Sequence, residues 1–353
     1  MTDMDQALSM MGDCGPEFGS NGLSNHGPMA AEALTAMGRG QDVEDWVARY
    51  RKRLDERPAN VARIGEDDWR SALGDLARVS DWEDFFAARV DSAPWREVLE
   101  EWVPILSVGI MAGATHGLIR TAHAVRSLSA DETSEVRKRE LISGLAYWAA
   151  RYQSMPGTLQ PIAPRMPTEA LVDLQIMPPR TRNLRPTSIF VAVAELDHFA
   201  PFEQAINLAA PGDDVSAFLS DLTSNMARLY LQNAGPASIP YVHTVTAPSA
   251  LRMLAPHLSL ETAKLAARYA WLAAAAIHAR GHFPHDVEMP DSPPDREDLI
   301  DRAVFSGDEH AIKFTEACLR EYALNPEPAF LAGPLDMSNR YGRKRREGDG
   351  TNG

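Results

Sequence analysis

An all-α fold is predicted by two features of the sequence. Apolar residues recur mostly at three- and four-residue spacing, the period of one helix face, and alternation at period two is hard to find anywhere. The expected architecture is a large single-body helical bundle with a Pro-rich irregular central connection. The first helix spans Pro28 to Met37, with Pro preset for the first turn, and the next Val43 to Leu54. Trp82 to Val90 and a long Trp95 to Leu128, kinked or broken at Pro104, follow. Glu135 to Tyr152 closes the first half. Between about Met155 and Arg185 the run MPGTLQPIAPRMP, then MPPRTRNLRP, reads as an irregular connection packed over the helical body. The second half holds Asp213 to Gln232, Tyr241 to Leu254, Leu260 to Arg280, Asp295 to Phe305 and Glu309 to Ala323.

The chain has 353 residues. At about 150 residues per domain the length allows two domains or one large one, and the similar helical signals on both sides of the Pro-rich stretch favour one. Residues 21–338 form the expected body. Residues 1–20 and 339–353, rich in Gly, Asp, Met or charge without periodicity, are expected to be mobile. Lys and Arg number 35 against 49 Asp and Glu, a formal charge of −14. This argues against a nucleic-acid partner, because phosphate neutralisation needs a concentrated basic surface. Here the tight basic cluster is Arg340 to Arg346, near the polar C-terminus. Two distant cysteines, Cys14 and Cys318, make neither a disulfide framework nor a thiolate cluster. The opening MTDMDQALSM has no basic head or apolar stretch, and no apolar run approaches the roughly 20 residues of a bilayer span. A cytoplasmic protein with no membrane partner is expected, and a homodimer is compatible with these features.

Several common site types are missing from the sequence. It has no GxxxxGK[ST] loop, GxSxG elbow or HExxH pair. Gly38-Arg39-Gly40 lacks a third glycine and follows a helix, so no recognisable Rossmann cofactor site is encoded.

What remains distinctive is the placement of the ten histidines. His26, in SNHGPMAAEAL, stands at a helix start made rigid by Gly27-Pro28, where it serves as a cap or projects its ring inward. His116 lies in GIMAGATHGLIRTAHAVRSL, where Gly109, Ala112, Gly113, Ala114 and Gly117 permit close helix approach and deep burial. A buried imidazole needs partners for both nitrogens. His123 follows on the same face about 10 Å along the axis, too far to share one ion with His116. Arg120, one turn after His116, is placed either to hold a phenolate or other anion or to pair with a buried acid. His243 opens the apolar HTVTAPSALRML, with Thr244 and Thr246 near its ring. His310 and Lys313 form an HxxK pair about 4.5 Å apart along one helix face. Lysine is used sparingly, five times in the chain, and Lys313 sits between Ile312 and Phe314. A buried ammonium must be paired, neutralised or modified. It pairs with Glu309 or Glu316, faces solvent, or captures carbon dioxide as a carbamate. With neutral imidazoles the carbamate would complete an N,O site for iron, manganese or zinc. His278 and His282, four apart with His285 beyond, are a second candidate pair, although Gly281 ends that helix.

Four blocks, NHGPMAAEAL, THGLIRTAHAVR, HTVTAPSALRML and DEHAIKFTEAC, stand in an order in which the chain resembles the questin oxidase family over roughly residues 20–335. The resemblance implies a helical oxygenase that opens the ring of an aromatic polyketide of the anthraquinone type in secondary metabolism. The chemistry is described either as iron-dependent carbon–carbon cleavage or as NADPH-linked Baeyer–Villiger oxidation. It further implies a mononuclear non-heme iron, Fe(2+), with O2 as co-substrate. Its ligands would be His26, His116, His243, His310 and a carboxylated Lys313, with His123, His278 or His282 as substitutes within the set. Arg120 or His123 would orient a phenolate or shuttle a proton. Trp102, Trp148, Tyr269, Trp271 and Phe314 are candidates to line a pocket for a flat substrate, or plain core. A reading from another class, a helical scaffold with structural histidines, predicts that Lys313→Arg is tolerated and that no metal co-purifies.

Overall fold

In a computed structural model the chain is all-α. The structure describes residues 2–183, 188–233, 235, 238–281, 290 and 292–349, with side chains to residue 342. The helices are α1 (Asp3–Met10), α2 (Gly27–Ala36), α3 (Val43–Tyr50), α4 (Val79–Ser92), α5 (Trp95–Val108), α6 (His116–Ala130), α7 (Glu135–Ala150) and α8 (Pro167–Asp173). They continue with α9 (Ile189–Val193), α10 (Val215–Asn233), α11 (Ser238–Leu254), α12 (Leu260–Gly281), α13 (Arg296–Ser306), α14 (Glu309–Leu324) and α15 (Ala329–Asp349). Among the described residues the sheet is a single two-residue antiparallel hairpin, β1 (Glu17–Phe18) with β2 (Leu23–Ser24). No described helix is long and apolar enough to cross a membrane.

Most expected helices appear within a few residues of their expected ends, and the one expected break moves. The long helix does not break at Pro104, which lies inside α5. One missing N–H is tolerated there because Trp102, Val103 and Leu106 around it are buried in the core. The interruption falls at residues 109–115, where Gly113, Ala114 and Thr115 take φ of 53°, 60° and 71° in succession. Three left-handed residues cannot continue a right-handed helix.

Residues 1–20, expected to be mobile, begin with α1. Thr2 and Asp5 form a capping box there, and Met4, Ala7 and Leu8 are buried against α2, α3 and α7. At the other end α15 runs through most of residues 339–353. The Pro-rich connection is partly helical, in α8, and buries Met155, Ala170, Leu174 and Met177 in the main core.

Four helices position the site. α2 packs on α6, α6 on α11, α11 on α14, and α14 back on α2, a closed ring of neighbours around one interior point. The α6–α7 contact is close because Gly117 and Gly144 face Trp148 and Thr121 with no room for a Cβ: one placed on either would stand 2.7 Å and 3.0 Å from those residues.

Candidate metal centre

Each helix of the ring brings one imidazole to its interior. His26 is the N-cap of α2, where Pro28 sets the first turn and the His26 side chain makes no capping bond, so its ring is free to turn inward. His116 is the first residue of α6, aimed by the left-handed turn before it. His243 lies in the first half of α11. His310 stands in the first turn of α14, whose N-cap Asp308 accepts the backbone N–H groups of His310 and Ala311 at 3.0 Å.

Ligand atoms of His26, His116 and His310 all lie within 4.8 Å of one another. The ring centroids of His26 stand 4.3 Å from those of His116 and 4.5 Å from those of His310. His243 joins them with its Nε2 at 3.2 Å from His116 Nε2. Lys313, one turn along α14, is 3% exposed, and its charge acts on all four imidazoles.

The electrostatics hold these rings neutral. Burial, and then the Lys313 ammonium, push His26, His116 and His310 well below the usual imidazole range and His243 down to about 4. Burial also lowers the Lys313 amine to about 7, against the pull of Glu309 and Asp308. The Asp308 carboxyl is pushed up to about 6 by burial and by Glu309. Arg53 closes the outer side, bonding Glu309 through both guanidinium nitrogens at 3.3 and 3.1 Å.

A cation suits this donor set. His116 Nδ1 donates to the Gly113 carbonyl at 2.5 Å and His243 Nδ1 to the Ile239 carbonyl at 2.7 Å. In a neutral ring that tautomer leaves the lone pair on Nε2, so two lone pairs face each other across 3.2 Å. His26 Nδ1 is buried without a hydrogen-bond partner. Lone pairs so arranged repel one another unless a positive charge lies between them, and imidazoles held through their second nitrogen are the usual form of a metal ligand. Four imidazoles with an oxygen donor would suit iron, manganese or zinc.

The structure therefore brings together His26, His116, His243, His310 and Lys313. It places the other expected residues elsewhere. Arg120 forms a two-pronged bond to Glu140 at 2.6 and 2.8 Å, both buried. His123 Nδ1 is 2.6 Å from Glu32, in a network with Arg126 and Glu316. Arg120 thus pairs with a buried acid, one of the two roles open to it. His278 Nδ1 is 2.6 Å from the Tyr241 hydroxyl, and His282 and His285 lie outside the described residues. Trp102 belongs to an aromatic core with Trp69, Trp82, Phe85 and Phe86. Phe314 packs on Tyr230 and Trp271 bonds the Ala205 carbonyl, while Trp148 is fully buried and Tyr269 partly.

Sequence reasoning missed the residues that hold the ligands. Tyr50 accepts the His26 backbone N–H at 2.8 Å. Ser24 and Tyr147 meet beside the Gly113 turn. The four-residue spacing of Gly109, Gly113 and Gly117 was the available signal, since each faces an aromatic side chain of residues 147–152.

The family model described as Questin oxidase-like matches residues 23–318, which include all five clustered residues. The chain belongs to that family, which implies an oxidoreductase of the oxygenase kind acting on anthraquinone-type substrates. No curated protein matches the chain.

Proposed function

We propose that this Questin oxidase-like protein is a mononuclear non-heme iron oxygenase that opens a ring of an anthraquinone-type substrate by oxidative carbon–carbon cleavage. One observation supports the reading: ligand atoms of His26, His116 and His310 lie within 4.8 Å of one another, with His243 Nε2 at 3.2 Å from His116 Nε2 and the buried Lys313 one turn along α14 from His310. His26, His116, His243, His310 and a carboxylated Lys313 would hold the iron. Bound there, iron would bind dioxygen and supply an electron to activate it.

The chain's own groups have separable tasks. With its pKa brought down to about 7, a large share of the Lys313 amine is neutral at neutral pH and nucleophilic. Its nitrogen lone pair attacks the carbon of carbon dioxide, an N–C bond forms as one C=O π pair moves onto oxygen, and one N–H bond breaks with its proton passing to water. The product is an anionic oxygen donor where an ammonium stood, which removes the clash of like charges with any bound cation. The Gly113 and Ile239 carbonyls keep His116 and His243 in the tautomer that presents Nε2. Asp308 fixes the first turn of α14 and with it His310. Arg120 and His123 tie α6 to α7 and α2 through Glu140 and Glu32.

Iron measured in protein purified without added metal, together with a carbamate carbon signal after labelling with 13C-bicarbonate, tests this reading. A metal-free, fully active enzyme overturns it. Oxygen uptake that needs no NADPH is the outcome expected of iron-dependent cleavage. Strict NADPH dependence would favour Baeyer–Villiger oxidation of the same substrate class.

A further inference from the structure

Resting on the metal reading above, we propose that Tyr147 is a positioning residue whose one hydroxyl sets the spacing between His26 and His116. Tyr147 lies near the end of α7 and is 1% exposed. Its hydroxyl donates to Glu17 Oε1 at 2.8 Å and shares a 2.7 Å hydrogen bond with Ser24 Oγ. Glu17 and Ser24 are register partners across the hairpin, so the tyrosine grips both strands at one rung. Ser24 is two residues before His26, and the hairpin leads directly into α2.

The same hydroxyl bears on the other ligand. A Cβ built on Gly113 would collide with the Tyr147 ring tip, so the phenol rests directly against the turn. Ser24 Oγ lies 3.5 Å from the Gly113 carbonyl, the atom that binds His116 Nδ1 at 2.5 Å. That turn is strained. Ala114 and Thr115 are not glycines, yet φ is 60° and 71°, a conformation that survives only where its surroundings impose it. The imposing wall is aromatic: Tyr152 stands against Gly109, Tyr147 against Gly113 and Trp148 against Gly117. Within this wall Tyr147 alone has a hydroxyl bonded to the segment that carries the other ligand. It thus ties two ligand-bearing segments, 90 residues apart by number (116 − 26), to one atom.

Tyr147→Phe keeps the ring and removes the hydroxyl. In the full-length protein it is expected to weaken Co2+ binding ten- to a hundredfold, the usual effect of losing a group that orients a metal ligand. The visible spectrum of the Co2+ complex should change as well. Ser24→Ala, which deletes one partner of the hydroxyl, should act in the same direction and serves if Tyr147→Phe does not fold. A second readout needs no metal. Imidazole 15N signals should show His116 as the Nδ1–H tautomer in the wild type and as a mixture in Tyr147→Phe. Wild-type affinity, spectrum and tautomer in both variants overturn the proposal. If the wild-type protein takes up no Co2+, the metal reading fails, and the tautomer comparison still decides the role of Tyr147.

Discussion

The Nε2 atoms of His116 and His243 stand 3.2 Å apart although 127 residues separate them in the chain. Each ring commits its Nδ1 to a backbone carbonyl, so this contact opposes two lone pairs and favours a shared cation. Removing metal with a chelator is therefore expected to lower the melting temperature, and Fe(2+) to restore it. At a hundredfold excess over Kd the linkage is about 2.7 kcal/mol, or about 4 °C for a chain of this size. Scanning calorimetry with and without metal checks it; an unchanged midpoint contradicts the cation site.

The Lys313 side chain is 3% exposed one turn from His310, so keeping it charged beside the imidazoles costs free energy in the metal-free state. Lys313→Met is expected to bind no iron while melting no lower than the metal-free wild type. Lys313→Glu, with a shorter carboxylate, should recover part of the metal content. Iron retained at full stoichiometry by the methionine variant would show that this side chain is not a ligand.

Gly117 faces the Trp148 backbone, and an added Cβ would stand 2.7 Å from the Trp148 Cα. Neither helix can yield there without parting α6 from α7. Gly117→Ala should destabilise the protein by about 1–3 kcal/mol and displace His116 beside it, lowering metal affinity too. Denaturant unfolding and Co2+ titration of one sample measure both effects.

Arg120 and Glu140 neutralise each other in the interior. Arg120→Ala leaves a buried carboxylate alone and is expected to cost about 3–5 kcal/mol, whereas Arg120→Met with Glu140→Leu should recover most of it. Activity that returns with stability in the double variant marks the arginine as structural. Activity that stays lost would return it to the substrate.

Burial pushes the Asp5 carboxyl up, but hydrogen bonds from Arg137, Ser134 and Thr2 outweigh this and bring it down to about 2. A carboxyl depressed on folding adds stability above its unfolded pKa of about 3.8, and that contribution fades as the pH falls through about 2. Asp5→Asn should thus be less stable than wild type at neutral pH by about 1–2 kcal/mol, allowing for solvent screening. The gap should close between pH 4 and pH 2. A gap independent of pH would assign the effect to packing.

Helix content was legible because the spacing of apolar residues is local information: α12 and α14 could be placed within a residue or two from their periodicity. The helix break was not, because Pro104 carries an obvious signal and the left-handed Ala114 and Thr115 carry none. Tyr147 and Trp148, from another helix, stand against Gly113 and Gly117 on either side of them. The first helix was missed for a similar reason. Its eight residues are too few to be stable alone, and burial against α3 and α7 holds them.

The candidate site divides along the same line. Residue type, a helix start at His26 and the HxxK spacing of His310 and Lys313 were properties of short segments, and the order of amino acids sufficed to single them out. Which of Arg120, His116 and His123, all on α6, turns toward the shared point was settled by partners remote in the chain: Glu140 claims the first, the Gly113 carbonyl orients the second and Glu32 holds the third. Hydrogen bonds and buried charges act over a few ångströms in space, and only chain folding brings such partners within that range.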